Sequence, residues 1–230
     1  MNYLSEGFIT AIKLILSFNS DVYEVVFLSL KISIIATILS SLVGVPLGFL
    51  IAANEFFGKK IIITIFNTLM ALPTVVVGLF VYSLISRRGP LGVLGLLFTP
   101  KAMVIGEFIL ATPIIIALSI SAIQGTDPRV RTTAMTLGAN PFQVARAIIS
   151  EARFAIVAAI IAGYGRVIAE LGSALMLGGN IKGYTRTMAT AIGLETSKGE
   201  FGFAIALGFI LLIVAFSINI SLQYIQQKRK

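Results

Sequence analysis

The sequence predicts an all-α fold, a polytopic transmembrane bundle of about five spans with an interfacial helix at its N-terminus. Three observations carry that prediction. Hydrophobic residues fill 57% of the chain, and the mean hydropathy is +0.98. Charged residues make up 12%, against roughly 25% in soluble domains, which leaves too little polar surface to keep a soluble protein dissolved. Most of these charges fall between long apolar runs rather than within them. The sequence has no Cys and no His, which excludes disulfides, imidazole bases and Cys/His metal sites. A net charge of +8 would suggest nucleic acid in a soluble chain; here no nucleic-acid partner is expected, because where the charges lie matters more than their sum.

The first apolar run, Phe8 through Phe18, is interrupted by Lys13. It is far short of the roughly 20 residues that cross a bilayer core, so residues 1–20 are assigned to an interfacial or elbow helix. Met1 to Gly7 carry no basic residue, and no signal peptide is expected. A membrane domain is expected over 21–226 and a basic tail over 227–230. The first span runs from Tyr23 to Ala53 and contains Lys31 and Pro46. The second runs from Ile61 to Ile85 around Pro73, and the third from Ala102 to Ile123 around Glu107 and Pro113. The fourth covers Phe154 to Leu177 and the fifth Phe201 to Ile225. Internal prolines are expected to be tolerated, since neighbouring helices can satisfy the carbonyls they free.

Lys and Arg in short loops set orientation. One side holds Lys59, Lys60, Arg129, Arg131, Arg146, Arg153, Lys228, Arg229 and Lys230. The other holds Lys13, Arg87, Arg88, Lys101, Lys182, Arg186 and Lys198. The bias places the first side in the cytoplasm, with the N-terminus outside and the C-terminus inside. Arg87, Arg88, Lys101, Lys182, Arg186 and Lys198 then form an outer basic rim. Short solvated loops could simply tolerate these charges, or the rim could steer an acidic partner and a divalent anion.

Between the third and fourth spans lies DPRVRTTAMTLGANP, Asp127 to Pro141. Asp127 followed by Pro128 reads as an N-cap with proline in the first turn. Gly138 reads as the left-handed residue just past a helix end, and Asn140 with Pro141 starts the next helix. Val130, Ala134 and Leu137 share one stripe, with Arg129, Thr132 and Thr136 away from it. So short a helix is unstable alone in water and must rest on something.

This stretch resembles the EAA loop of binding-protein-dependent ABC importers, with pattern E-A-A-x3-G-x9-I-x-L-P. Thr132, Thr133 and Ala134 occupy the E-A-A positions, Gly138 the glycine and Ile148 the isoleucine. The sequence departs from the pattern at Thr132, Thr133, Ser150 and Glu151. The resemblance implies a coupling helix that docks into a groove of a cytoplasmic ATPase, with Pro128, Arg129, Arg131, Thr132, Thr133, Ala134, Leu137, Gly138 and Ala139 at the contact. RRGPLG (Arg87 to Gly92), RVIAELGS (Arg166 to Ser173) and GGNIKGYTRT (Gly178 to Thr187) look like stretches of molybdate and tungstate permeases. LETSKGEF (Leu194 to Phe201) and the length look most like the tungstate branch. The resemblance implies import of tungstate, with molybdate next, across a bacterial or archaeal cytoplasmic membrane. It also implies an extracytoplasmic oxyanion-binding protein. Five spans and one docking loop make half of a two-fold pathway, so a homodimer on two ATPase subunits is expected.

Four charges fall well inside spans, away from their ends: Lys31, Glu107, Arg166 and Glu170. Facing lipid, each would be costly. Arg166 and Glu170 stand four apart on one helical face and can pair. The pair reads either as a structural tie or as part of the anion path, with Glu170 restraining Arg166 so that the anion is not trapped. Ser173 and Glu107 are further pathway candidates. No partner for Lys31 or Glu107 is evident from sequence, and a pair between them is left open. Gly163, Gly165 and Gly172 are expected to admit close helix approach. Gly178 to Gly183 lacks the G-x-x-x-x-G-K-[ST] order and reads as an outer loop or re-entrant turn. No P-loop occurs in the chain, so ATP and Mg are expected on a separate ATPase and no catalytic, metal or cofactor site on this one. An anion channel or secondary transporter without an ATPase is the competing class, but the two related halves common in such carriers are not seen. A membrane enzyme lacks any nucleophile–base pair.

Overall fold

A computed structural model describes residues 3–17 and 19–227. Phe18 and the basic tail residues Lys228, Arg229 and Lys230 lie outside these described residues. The helices are α1 (Tyr3–Leu16), α2 (Ser20–Ala53), α3 (Lys59–Leu69), α4 (Thr74–Ile85), α5 (Pro100–Gln124), α6 (Pro128–Thr136), α7 (Pro141–Ile168), α8 (Gly172–Gly178), α9 (Met188–Ser197) and α10 (Phe201–Gln227). One 3-10 turn, Gly92–Leu94, precedes α5. No strand occurs among the described residues.

Among the described residues three helices are long and apolar enough to cross a bilayer unaided: α2, α5 and α10 over Phe201–Ile220. In its most apolar stretch α5 is 67% buried, against 28% for α2 and 22% for α10. The last two therefore lie at the periphery, and α5 is the centre of the bundle. Leu110, Ala111 and Ile115 of α5 pack with Val77, Val81 and Ile85 of α4, Val167 of α7 and Leu177 of α8. Helix α1 lies along α10, with edge-on contacts between Tyr3 and Phe201 and between Phe8 and Phe209.

The second and fourth expected spans are not straight helices. The second breaks into α3 and α4, which meet at 97°. Pro46 and Pro113 stay inside α2 and α5, yet Pro73 becomes the N-cap of α4 in extended conformation. A proline lacks an N–H and crowds the carbonyl four residues back, and its neighbour is driven out of the helical region. Helix α3 packs on α5 but buries no residue fully, so little packing opposes the turn. The fourth span is α7 followed by α8, bent by 61° across residues 169–171. Gly163 and Gly172 work as expected. A methyl group at Gly163 would press on Ile115 of α5, and one at Gly172 on Thr74 and Val75 of α4. Gly165 faces open space and seats no helix of this chain.

The segment after α8 is compact. The Thr185 hydroxyl donates to Gly178 O and accepts from Ile181 N, and Gly179, Asn180 and Gly183 take positive φ. Next comes α9, which is not among the expected spans. It starts on a Thr187–Thr190 capping box and is tied to α2 by Met188 N donating to the Ser29 hydroxyl at 2.7 Å.

Candidate functional site

Two assemblies of side chains stand apart from the packing core. The first is at the α7–α8 break. Arg166 Nη1 donates to Glu170 Oε2 at 3.0 Å, with side-chain exposures of 37% and 2%. Glu170 Oε1 accepts the backbone N–H of Ser173 at 3.0 Å. The bend frees backbone donors that hydrocarbon cannot satisfy, and the carboxylate takes one of them. Glu170 is thus both the counter-ion of Arg166 and a cap for α8. Ser173 is itself buried, at 1% exposure.

Glu107 approaches the same place from α5. It is buried, with the Ser33 hydroxyl of α2 beside its carboxyl and the charge of Glu170 in range. Its Oε2 has no hydrogen-bond partner, and neither does the nearby buried Tyr164 hydroxyl of α7. The structure therefore brings together Arg166, Glu170, Ser173 and Glu107, all four pathway candidates. It adds Ser33 and Tyr164, which look like ordinary span residues in sequence because the contacts are between helices. Lys31 does not join them. It is exposed and lines a separate cavity with Lys101, so the open possibility of a Lys31–Glu107 pair is not realised.

The second assembly is α6. The Asp127 carboxylate accepts Arg129 N at 2.8 Å and pairs with the Arg129 guanidinium at 2.6 Å. Those bonds hold the Asp127 carboxyl below its ordinary range and raise the guanidinium. Gly138 takes φ +78, and a side chain there would meet nothing within 4 Å. Asn140 and Gln143 cap α7 reciprocally. Val130 and Ala134 pack on Ile123, Val144 and Ile148, as their stripe predicts. Leu137, expected on that stripe, is instead 83% exposed. It is the C-cap residue, where the chain has already left helical geometry, so the 3.6-residue periodicity no longer places it. Met135 and Phe142 are also exposed, and α6 buries no residue of its own. Arg131 Nη1 reaches Ala53 O at 3.4 Å, fastening α6 to the end of α2. Thr132, Thr133 and Thr136 are exposed, with the Thr132 and Thr136 hydroxyls bonded back to helix carbonyls.

The six basic residues of the expected rim lie at the end of the bundle opposite α6, but they are not equivalent. Lys182 pairs with Asp21 at 2.7 Å and Lys198 with Glu195 at 2.9 Å. Arg87 and Arg88 share a cavity of about 620 Å³, and Arg186 donates to Asn180 O.

A broken-helix bundle with a buried ionic cluster and a capped helix at one end is the architecture of a membrane-embedded transport subunit. The chain belongs to the family described as the binding-protein-dependent transport system inner membrane component, whose model matches residues 44–230. It is 37% identical over 228 residues to the tungstate uptake system permease protein TupB of Peptoclostridium acidaminophilum, covering 99% of this chain and 100% of the relative. It is 42% identical to TupB of Campylobacter jejuni over 95% of this chain and 92% of that one. Identity to the molybdenum transport system permease protein ModB of Escherichia coli is 27%, over 84% and 91% of the two chains. The fold resembles a chain of the MetNI methionine ABC transporter in an inward-facing conformation, with a TM-score of 0.74 at 16% identity, covering 92% of this chain and 97% of that one. A crystallised amino acid ABC transporter gives 0.67 at 15%, covering 99% of each. The family and the fold agree with the resemblance read from the loop and the RVIAELGS run.

Proposed function

We propose that this chain is the permease subunit of a tungstate importer, with molybdate as the next anion in preference. It works as a homodimer on two separate ATPase subunits, which bind ATP and Mg, and it receives the anion from an extracytoplasmic binding protein. The N-terminus lies outside and the C-terminus, with α6, in the cytoplasm. One observation carries the reading: α6 is capped at both ends and fastened to α2 and α7, and Met135 on it, Leu137 at its C-cap and Phe142 at the start of α7 are exposed together. Apolar side chains fixed on a rigid helix outside the expected membrane core need a protein partner to cover them. The 37% and 42% identities to TupB proteins support tungstate over other oxyanions.

The test is reconstitution of the chain with its ATPase and binding protein. ATP hydrolysis should rise with tungstate, less with molybdate and little with sulfate, and an ATPase should co-purify. A subunit that transports tungstate without an ATPase would overturn the reading, as would a functional single-copy permease.

A further inference from the structure

Lys31 lacks a role in the ionic cluster, and its surroundings supply another. It opens onto a cavity of about 720 Å³ between α2 and the start of α5, and Lys101 and Tyr184 line the same cavity. Most of the remaining wall is apolar, including Ile35, Leu94 and Val104. Among the described residues neither lysine has a carboxylate partner. A smaller cleft shares Lys31 and Tyr184 and adds Arg186 and Glu24, so the neighbourhood stays net positive.

The level of this cavity is fixed by the helices. Helix α5 has 25 residues and spans about 37 Å, with Lys101 at one end and α6 following the other. Lys31 lies on α2 about 16 Å from Ser20, and side chains on a helix lean towards its N-terminus. Its amine therefore reaches the membrane face remote from α6 while its stem stays in the apolar layer. Below it, Ile35, Ile38 and Leu42 continue one exposed apolar stripe at helical spacing.

We infer that this cavity is a binding site for an anionic phospholipid, with the phosphate between Lys31 and Lys101 and an acyl chain along Ile35, Ile38 and Leu42. Paired amines above an apolar groove at headgroup depth match a lipid phosphate. A free oxyanion has no use for the groove. The inference rests on the chain's membrane-spanning character alone and not on the transported anion or the ATPase.

The experiment uses the assembled transporter in detergent, with native mass spectrometry of bound phosphatidylglycerol and phosphatidylcholine. Phosphatidylglycerol should be retained preferentially. Lys31→Gln with Lys101→Gln should reduce that preference, by about fivefold for each lysine and about 25-fold for both. Lys31→Arg with Lys101→Arg should keep it. A ratio near one in the unaltered protein would overturn the site, and so would an undiminished ratio in an assembled Gln pair. If the Gln pair fails to assemble, the unaltered ratio and the Arg pair decide. Displacement of the lipid by millimolar tungstate would assign the cavity to the anion path and also overturn it. Loss of tungstate-stimulated hydrolysis would count against the proposed substrate but leave the lipid site standing.

Discussion

Arg166 and Glu170 are unequal partners, and the inequality separates two roles. Glu170 is 2% exposed and Arg166 37%, so removing either leaves a different remainder. Arg166→Ala strands a buried carboxylate with the Ser173 N–H as its recorded donor. Breaking a buried pair costs about 3–5 kcal/mol; water access through the half-exposed arginine lowers the expected loss to roughly 2 kcal/mol. Glu170→Ala leaves an arginine able to turn to water and loses one cap, about 1 kcal/mol. Thermal unfolding of the assembled transporter should therefore fall further for Arg166→Ala, and the double variant should recover part of the loss. Arg166→Lys tests function separately. It keeps the charge but not the fork-shaped donor geometry that oxyanions favour. If Arg166 lies on the path, uptake KM should rise severalfold while the unfolding midpoint barely moves. Unchanged uptake would make the pair a structural tie only.

At the scale of elements, α6 is the best test of local sequence logic. Asp127, Pro128, Gly138 and Asn140 each perform the backbone task that their chemistry predicts. Gly138→Val should strain the left-handed position by roughly 1–2 kcal/mol, and through backbone alone, since its side chain would meet nothing. ATPase co-purification and coupled hydrolysis should drop while insertion and dimerisation persist; Gly138→Asn, which tolerates that conformation, should largely retain both. Asp127 adds a pH statement. Its folded pKa is lowered, so its contribution is present above the unfolded carboxylate value near 3.9 and is lost only as pH falls through the lower folded value. Assembly measured between pH 5 and 9 should show no inflection from Asp127, and Asp127→Asn should assemble while Asp127→Ala weakens. Caps and apolar runs are local signals, which is why the helix existence, α6 and the five apolar segments were legible in the sequence. The two bends were not. Pro46, Pro73 and Pro113 look alike along the chain, and only packing decides that Pro73 breaks its helix. Glu107 beside Ser33, Glu170 and Tyr164 is likewise a contact among helices far apart in sequence, and a single sequence has no local signal for it.

For the whole molecule, the proposal that the end opposite α6 meets a binding protein turns on which of its charges are uncancelled. Only charge that is not cancelled nearby acts at a distance. Lys182 and Lys198 sit 2.7 and 2.9 Å from Asp21 and Glu195, and to a partner some distance away each pair is nearly neutral. Arg87 and Arg88, like Lys101 and Arg186, have no such carboxylate among the described ion pairs, and as adjacent charges on one cavity they should carry a large share of any steering. Replacing Lys182 and Asp21 together by Gln and Asn leaves the net charge unchanged and should leave association unchanged. Arg87→Glu with Arg88→Glu should slow association with the binding protein by about tenfold at low salt, with a smaller effect on dissociation. Screening acts within about 8 Å at physiological ionic strength, so the unaltered rate should fall as salt rises, and the double reversal should flatten that dependence. Stopped-flow association across a salt series measures both. A flat profile in the unaltered protein, with normal uptake by the double reversal, would mean that this end tolerates its arginines without using them.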